Sequence, residues 1–166
     1  MVNFVPLPLP AMRALIDGDV AAASAAAGVA LTPWMAGERW LWEIRAEQIE
    51  QDPGAAEWVA RAAVIDGQVV GHGGFHGPPD DEGCVEVGYS VDPAYRRRGF
   101  ARAMLAELIR RAEGDPRVRV VRASIRPDNT ASLATIAGFG FEAVGEQWDA
   151  VDGLETVYER AAAGSR

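Results

Sequence analysis

Apolar and polar residues alternate one by one from Val85 to Val91. Val85, Val87, Tyr89 and Val91 fall on one side, and Glu86, Gly88 and Ser90 on the other. That period of two predicts a strand with one covered face, stopped by Asp92-Pro93. From Phe100 to Ala112 the rhythm changes, with apolar residues at 101, 104, 105, 108, 109 and 112. This predicts an amphipathic helix, with Glu107 and Arg111 one turn apart for an ion pair and Gly114-Asp115-Pro116 as its end. Earlier, Glu38 to Gln51 reads as a helix with Leu41, Ile44, Gln48 and Ile49 on one side, ended by Pro53-Gly54. Strands Trp58 to Ile65 and Gln68 to Phe75 flank Asp66-Gly67, the strongest two-residue hairpin signal.

The remaining segments are shorter. Val2 to Pro10 reads as an extended edge strand, Ala11 to Ile16 as a helix, and Asp19 as the cap of an alanine-rich helix. Val118 to Ile125 is a strand, Asn129 to Ala137 a short helix, and Phe141 to Gln147 and Glu155 to Arg160 a last pair of strands. No linker or internal repeat interrupts this order. It predicts one α/β layer domain over residues 1–160, with 161–166 as a frayed tail.

Composition narrows the function classes. At 166 residues, 49% hydrophobic and 24% charged, the chain reads as an ordinary soluble globular protein. The start carries no secretory signal pattern, and the longest weakly polar run, residues 20–31, is too short to span a bilayer. A single cysteine, Cys84, excludes an intrachain disulfide framework and fits the cytoplasm. It reads as a small apolar filler at a strand start. With only His72 and His76 beside it, a structural metal site lacks ligands.

Charge is unevenly spread. Residues 1–83 carry 4 arginines against 12 acids, whereas residues 96–126 carry 10 arginines against Glu107, Glu113 and Asp115. The arginine-rich segment suits an anion. A sequence pI near 4.8 argues against an extended nucleic-acid track and favours a compact anion such as a nucleotide pyrophosphate. The acidic first half suits a cationic partner such as a protonated amine. Every basic residue is arginine, and without lysine a P-loop is excluded.

The densest chemistry lies where the Val85–Val91 strand passes through a proline turn into Arg96-Arg97-Arg98-Gly99-Phe100-Ala101 and directly into a helix. A helix start presents unpaired N–H groups and partial positive charge, which together bind phosphate. Gly99 lets the backbone turn tightly and approach an anion, and Ala101 is small for the same purpose. The competing reading is a solvated arginine run before an ordinary amphipathic helix.

The pattern Val91-x-Pro93-x-x-Arg96-x-x-Gly99-x-Ala101 resembles the acetyl-coenzyme A signature of the GNAT acetyltransferase superfamily, V-x-P-x-x-[QR]-x-x-G-x-[GA]. Asn129-x-x-Ser132 followed by Gly140-Phe141 resembles that family's N-x-x-[AS]…G-F segment. Upstream, Asp66-Gly67-x-x-Val70-Gly71, Pro78-Pro79 and Glu86-x-Gly88-Tyr89 extend the likeness over roughly the last two-thirds of the chain. Within the family the chain is most similar to the ribosomal-protein alanine/serine N-terminal acetyltransferase-like branch.

The resemblance implies an α/β fold, a central mixed, mostly antiparallel sheet with helices on both faces. It implies direct transfer of acetyl from acetyl-coenzyme A to a primary amine on a small molecule or a protein N-terminus, without metal, nucleic acid or membrane. The amides of Arg97, Arg98, Gly99, Phe100 and Ala101 would hold the pyrophosphate, with Arg96 or its neighbours adding charge. The strand ending at Val91 would splay from Val118–Ile125 to admit the pantetheine arm. The Val91 N–H would polarise the thioester carbonyl. Asn129 would bond the pantetheine or order the last helix.

Glu86 is the candidate general base, since an ammonium must lose a proton before it attacks a thioester. The alternative is the polar face of a half-exposed strand. Many family members carry a tyrosine seven residues after the asparagine to protonate the leaving thiolate; this chain has Ile136 there. The acid is therefore missing, replaced by Ser132 or a water, or unnecessary because a coenzyme A thiolate leaves readily; Ser132 otherwise reads as a first-turn hydroxyl bonding backbone. The missing tyrosine sustains a non-catalytic acyl-coenzyme A sensor as the alternative function, and the arginine loop alone would also suit a nucleotide-phosphate binder. Gly71-His72-Gly73-Gly74-Phe75-His76 reads as a strand with close backbone approach rather than a dinucleotide turn. His72 and His76 read as strand-surface residues or as facing the substrate. Trp34, Trp40 and Trp42 read as core or as the roof of an acceptor pocket. An outer strand at either end offers a route to a homodimer.

Overall fold

The hairpin at Asp66-Gly67 is built as its sequence dictates. Both residues take left-handed backbone, at φ 50 and 77, the geometry of a tight turn whose twist matches its strands. It joins β2 (Arg61–Ile65) to β3 (Gln68–Phe75) in antiparallel register, Ile65 opposite Gln68. The structure, a computed structural model, describes residues 1–163.

The other strands are β1 (Asn3–Val5), β4 (Cys84–Val91), β5 (Val120–Ile125), β6 (Glu142–Asp149) and β7 (Gly153–Ala161). Among the described residues they form one seven-stranded sheet in the order β1-β2-β3-β4-β5-β7-β6. Pairing is antiparallel for β1/β2, β2/β3, β5/β7 and β6/β7, and parallel for β4/β5. The parallel ladder is short, running only from Cys84↔Val120 to Glu86↔Arg122. The expected mixed, mostly antiparallel sheet is therefore present.

The helices are α1 (Leu9–Ile16), α2 (Val20–Ala27), α3 (Pro33–Gly37), α4 (Arg39–Gln51), α5 (Phe100–Glu113) and α6 (Thr130–Ile136). Asp19 caps α2 through its side chain and the Ala22 amide, as expected. The chain divides into two compact units, one of Met1–Pro78 with Gly88–Met104, the other of Pro79–Val87 with the chain from Leu105 onward. In the first, Leu7, Met12, Leu15, Met35, Trp42 and Val59 are buried in one core. Helices cover both faces of the sheet there. A Cβ on Gly73 would face Met104 of α5, whereas His72, the next residue, packs on Trp34 and Trp42 of α3 and α4. In the second unit Leu105, Leu108, Val121, Ala123 and Ile125 are buried.

Several boundaries differ from expectation, each for a hydrogen-bonding or packing reason. β2 begins at Arg61 rather than Trp58, because the amides of Trp58 and Val59 are spent on the Ala55 carbonyl of a Pro53-led turn. β5 begins at Val120, since the Val118 amide closes a turn onto Asp115. On α4 the covered side is Leu41, Trp42, Ala46 and Ile49, and Ile44 is 48% exposed. Trp42 sets that rotation: its indole N–H donates to the Met35 carbonyl at 2.6 Å, and Ile44 lies nearly opposite it on the helix. On α5, Glu107 pairs with Arg110 at i,i+3 rather than with Arg111. Ala161, the expected start of a tail, instead pairs with Val120 in β7, and the Ala162 amide donates to Arg119 O at 2.9 Å. Residues 164–166 lie outside the described residues.

Candidate active site

The turn from β4 into α5 is held by its own side chains. The Asp92 carboxylate, buried, accepts from the Ala94 amide at 2.9 Å and shapes a short 3-10 turn over Pro93–Tyr95. Arg96 folds back so that its Nε donates to the Val91 carbonyl at 3.0 Å, tying the loop to the strand end. Arg97 and Gly99 both take left-handed backbone, at φ 62 and 78. Arg98 lies over the Tyr95 ring, 5.5 Å from its centroid, and the Tyr95 hydroxyl meets the Gln68 side-chain oxygen at 3.1 Å.

The structure thus brings the buried Val91 together with residues 96–101, an arginine-rich helix start whose residues 96–99 are exposed. By helix geometry the first-turn amides have no acceptor inside α5. A Cβ on Gly99 would meet nothing within 4 Å. Its glycine is therefore demanded by backbone conformation rather than by crowding within the protein.

The strand beneath is equally constrained. A Cβ on Gly71 would collide with the Ser90 carbonyl oxygen and stand 3.1 Å from Val91 Cα, and one on Gly74 would stand 2.7 Å from Val59 backbone. The reading of 71–76 as a strand with close backbone approach matches this geometry. Gly88 faces His76, whose Nε2 would lie 3.0 Å from a Cβ there. Burial pushes the Tyr89 hydroxyl up to about 12, so it keeps its proton near neutral pH.

His72 is no surface residue. Only 7% exposed, it stacks on Trp34 at 5.3 Å and meets Trp42 edge-on at 5.4 Å. Its Nε2 is buried without a hydrogen-bond partner and lies 3.8 Å from Glu38 Oε1. Glu38, at the α3–α4 junction, also accepts from the Trp40 indole N–H at 3.0 Å. The His72 imidazole is the main influence holding the Glu38 carboxyl below the usual range, with Arg96 adding a smaller pull, against the opposing effect of burial. Of the three tryptophans, Trp42 is core, Trp34 partly buried and Trp40 exposed.

Glu86, Asn129 and Ser132 lie in the second unit. Glu86 is half-buried on β4 and directly opposite Arg122 in the parallel ladder. Arg122 gives both Nε and Nη2 to Glu159 Oε1, at 3.0 and 2.7 Å. The Asn129 side-chain oxygen accepts the Ser132 amide at 3.1 Å and caps α6. That is the helix-ordering alternative expected for Asn129. Ile136 is buried. Cys84 is buried as expected, and desolvation raises its thiol, which disfavours the thiolate.

Residues 25–141, well over half the chain, match the Acetyltransferase (GNAT) family. The chain belongs to the GNAT acetyltransferase family. The N-alpha-acetyltransferase RimI of Mycobacterium tuberculosis (strain ATCC 25618 / H37Rv) is 39% identical over 83 residues, 48% of this chain and 49% of that protein. The chain spans about half the length of the curated relatives it matches in this way. Among solved structures, a ribosomal-protein-alanine N-acetyltransferase from Brucella melitensis aligns over 97% of this chain and 99% of its own at TM-score 0.60 and 23% identity. An aminoglycoside acetyltransferase in complex with coenzyme A aligns over 97% and 95% at TM-score 0.65 and 14% identity. These structural likenesses support the GNAT fold.

Two features of this GNAT chain escaped the sequence reading. The Arg96 fold-back looks from sequence like one more charge for phosphate. The Glu38–His72 pair joins residues 34 positions apart, and no local pattern links them. A weak signal existed in three tryptophans clustered around Glu38.

Proposed function

We propose that this chain transfers an acetyl group from acetyl-coenzyme A to a primary amine by direct attack. The observation that carries the reading is the β4–α5 turn, where Arg97 and Gly99 adopt left-handed backbone before a helix start and Arg96 fixes the loop to Val91 O. Successive amides in such a turn form an anion cradle. In this reading Arg97, Arg98, Gly99, Phe100 and Ala101 hold the pyrophosphate through backbone N–H groups, and Arg96 positions the loop. The Val91 N–H polarises the thioester carbonyl. Asn129, its oxygen committed to the α6 cap, has its Nδ2 protons left for the pantetheine.

The amine nitrogen attacks the thioester carbon, the C–N bond forms, and the C–S bond breaks. Glu86 accepts the proton that the amine sheds. The thiolate leaves and takes a proton from Ser132 or solvent. The acceptor is an amine-bearing small molecule or a protein N-terminus, as the names of the aminoglycoside and ribosomal-protein acetyltransferases among its relatives suggest. The reading sets the chain in a reducing compartment, which suits a lone buried thiol. No helix among the described residues is long and apolar enough to cross a membrane.

Release of free thiol from acetyl-coenzyme A, followed with an amine panel, tests the proposal: amine-dependent release is expected, and Gly99→Val should abolish it. Ile136, buried and apolar where many members carry a tyrosine, favours one rival, a sensor that binds acyl-coenzyme A without turnover. Tight cofactor binding with no thiol release under any amine would establish that rival. Stronger thermal protection by ATP than by acetyl-coenzyme A would instead favour a nucleotide binder.

A further inference from the structure

Glu38 combines features seldom found together. Its side chain is 20% exposed, yet the carboxyl is held in its charged form. Among the described residues no arginine pairs with it within 4 Å, and its nearest basic group is the His72 imidazole, at a distance beyond hydrogen-bond range. His72 Nε2 is itself unpartnered, on a side chain that is 9% exposed. Removing such an atom from water costs about 1–3 kcal/mol, so a buried nitrogen of this kind calls for a role. Indoles surround the pair. Trp34 stacks on His72, Trp42 closes its edge, and Trp40 donates to the second Glu38 oxygen while its ring stays exposed.

The pair is also tied to the reactive end of β4. His72 follows Gly71, which packs against Ser90 and Val91. Arg96, which bonds Val91 O, lies close enough to Glu38 to influence its charge. A charged carboxylate without an arginine partner within 4 Å, set among indole rings, selects an ammonium over a neutral or anionic group.

We propose that Glu38 anchors the ammonium group of the acceptor beside the Trp40 indole that bonds its second oxygen. This rests on the acetyl-transfer reading for the word acceptor, but cation binding at Glu38 can be read without turnover.

The Trp40 indole N–H is bonded to Glu38 and serves as the reporter. Its proton–nitrogen resonance is followed in the full chain while alaninamide, methylammonium or spermidine is added. Lactamide, which replaces the ammonium of alaninamide by a hydroxyl, is the control. At least one ammonium probe is expected to give a saturable shift at Trp40 that lactamide does not. Glu38→Gln should weaken that binding about tenfold or more, the loss of one charge-assisted contact. His72→Phe should weaken it less and leave the preference over lactamide. The proposal is overturned if no probe gives a saturable shift, if lactamide shifts Trp40 equally, or if Glu38→Gln binds like the wild type with its melting temperature unchanged. If thiol release is absent while the Trp40 shift persists, the acetyl-transfer reading fails and the cation site stands. Where turnover occurs, Glu38→Gln should raise the acceptor KM about tenfold and leave the acetyl-coenzyme A KM unchanged, a split that a general structural defect would not produce.

Discussion

Gly99 separates two reasons for a glycine that a sequence motif merges. Its Cβ direction opens on nothing within 4 Å, so a Cβ there would crowd no protein atom. Its φ of 78 is the constraint, and an L residue held there costs about 1–2 kcal/mol, more when β-branched. Gly99→Val is therefore expected to fold, to melt only slightly lower, and to lose measurable acetyl-coenzyme A binding by calorimetry because the loop relaxes out of its left-handed turn. Wild-type affinity would refute the cradle. Glu86 makes the complementary case. The sequence placed it on a strand face, and the structure sets Arg122 opposite it with Glu159 beyond. Glu86→Gln should lower kcat about a hundredfold or more, mainly at the acid side of the pH–rate profile, where the amine most needs a proton acceptor. An unchanged profile would remove Glu86 from the mechanism.

At the scale of elements, legibility followed the range of the interaction. The β2–β3 hairpin, β4 and α5 were readable because a local signal specifies each: an Asp-Gly turn, an alternation, a 3.6-residue stripe. The start of β2 was not, because the bonds that steal the Trp58 and Val59 amides come from a turn that only Pro53 announces. The outward rotation of Ile44 depends on a bond from Trp42 to a different helix, and composition cannot reveal it. The binding loop was legible as a motif, whereas the Arg96 fold-back and the Glu38–His72 pair needed the tertiary structure. Two substitutions test element-level packing. Gly71→Ala forces a methyl group onto the Ser90 carbonyl and should destabilise by about 2–3 kcal/mol in urea unfolding. Asn129→Ala removes the α6 cap and should cost about 1 kcal/mol, with a further loss of cofactor affinity only if the side chain also reaches the pantetheine.

For the whole molecule, the carboxylates of Glu38, Glu107 and Asp115 titrate below their usual range, Asp115 at about 2 from its hydrogen bonds to Arg117. A depressed carboxylate contributes stability that is complete above its unfolded pKa and disappears as pH falls through the folded one. Thermal scans should therefore show a plateau above roughly pH 5 and a fall toward pH 2, the Asp115 share ending last. A flat melting temperature across that window would show that these pairs contribute nothing measurable. Because Arg117 is exposed and Asp115 only half-buried, added salt should shrink the share of this pair.

The tryptophans are divided between the two compact units. Trp34, Trp40, Trp42 and Trp58 belong to one, and Trp148, 78% exposed beside the β6–β7 turn, is alone in the other. Acrylamide quenching should reach the red-emitting Trp148 first and the buried Trp42 last. A Trp148→Phe protein would then give an optical signal from one unit only, and its difference from the parent protein would report the other. Whether the chain melts in one step or two can thus be decided with a single substitution and a fluorimeter.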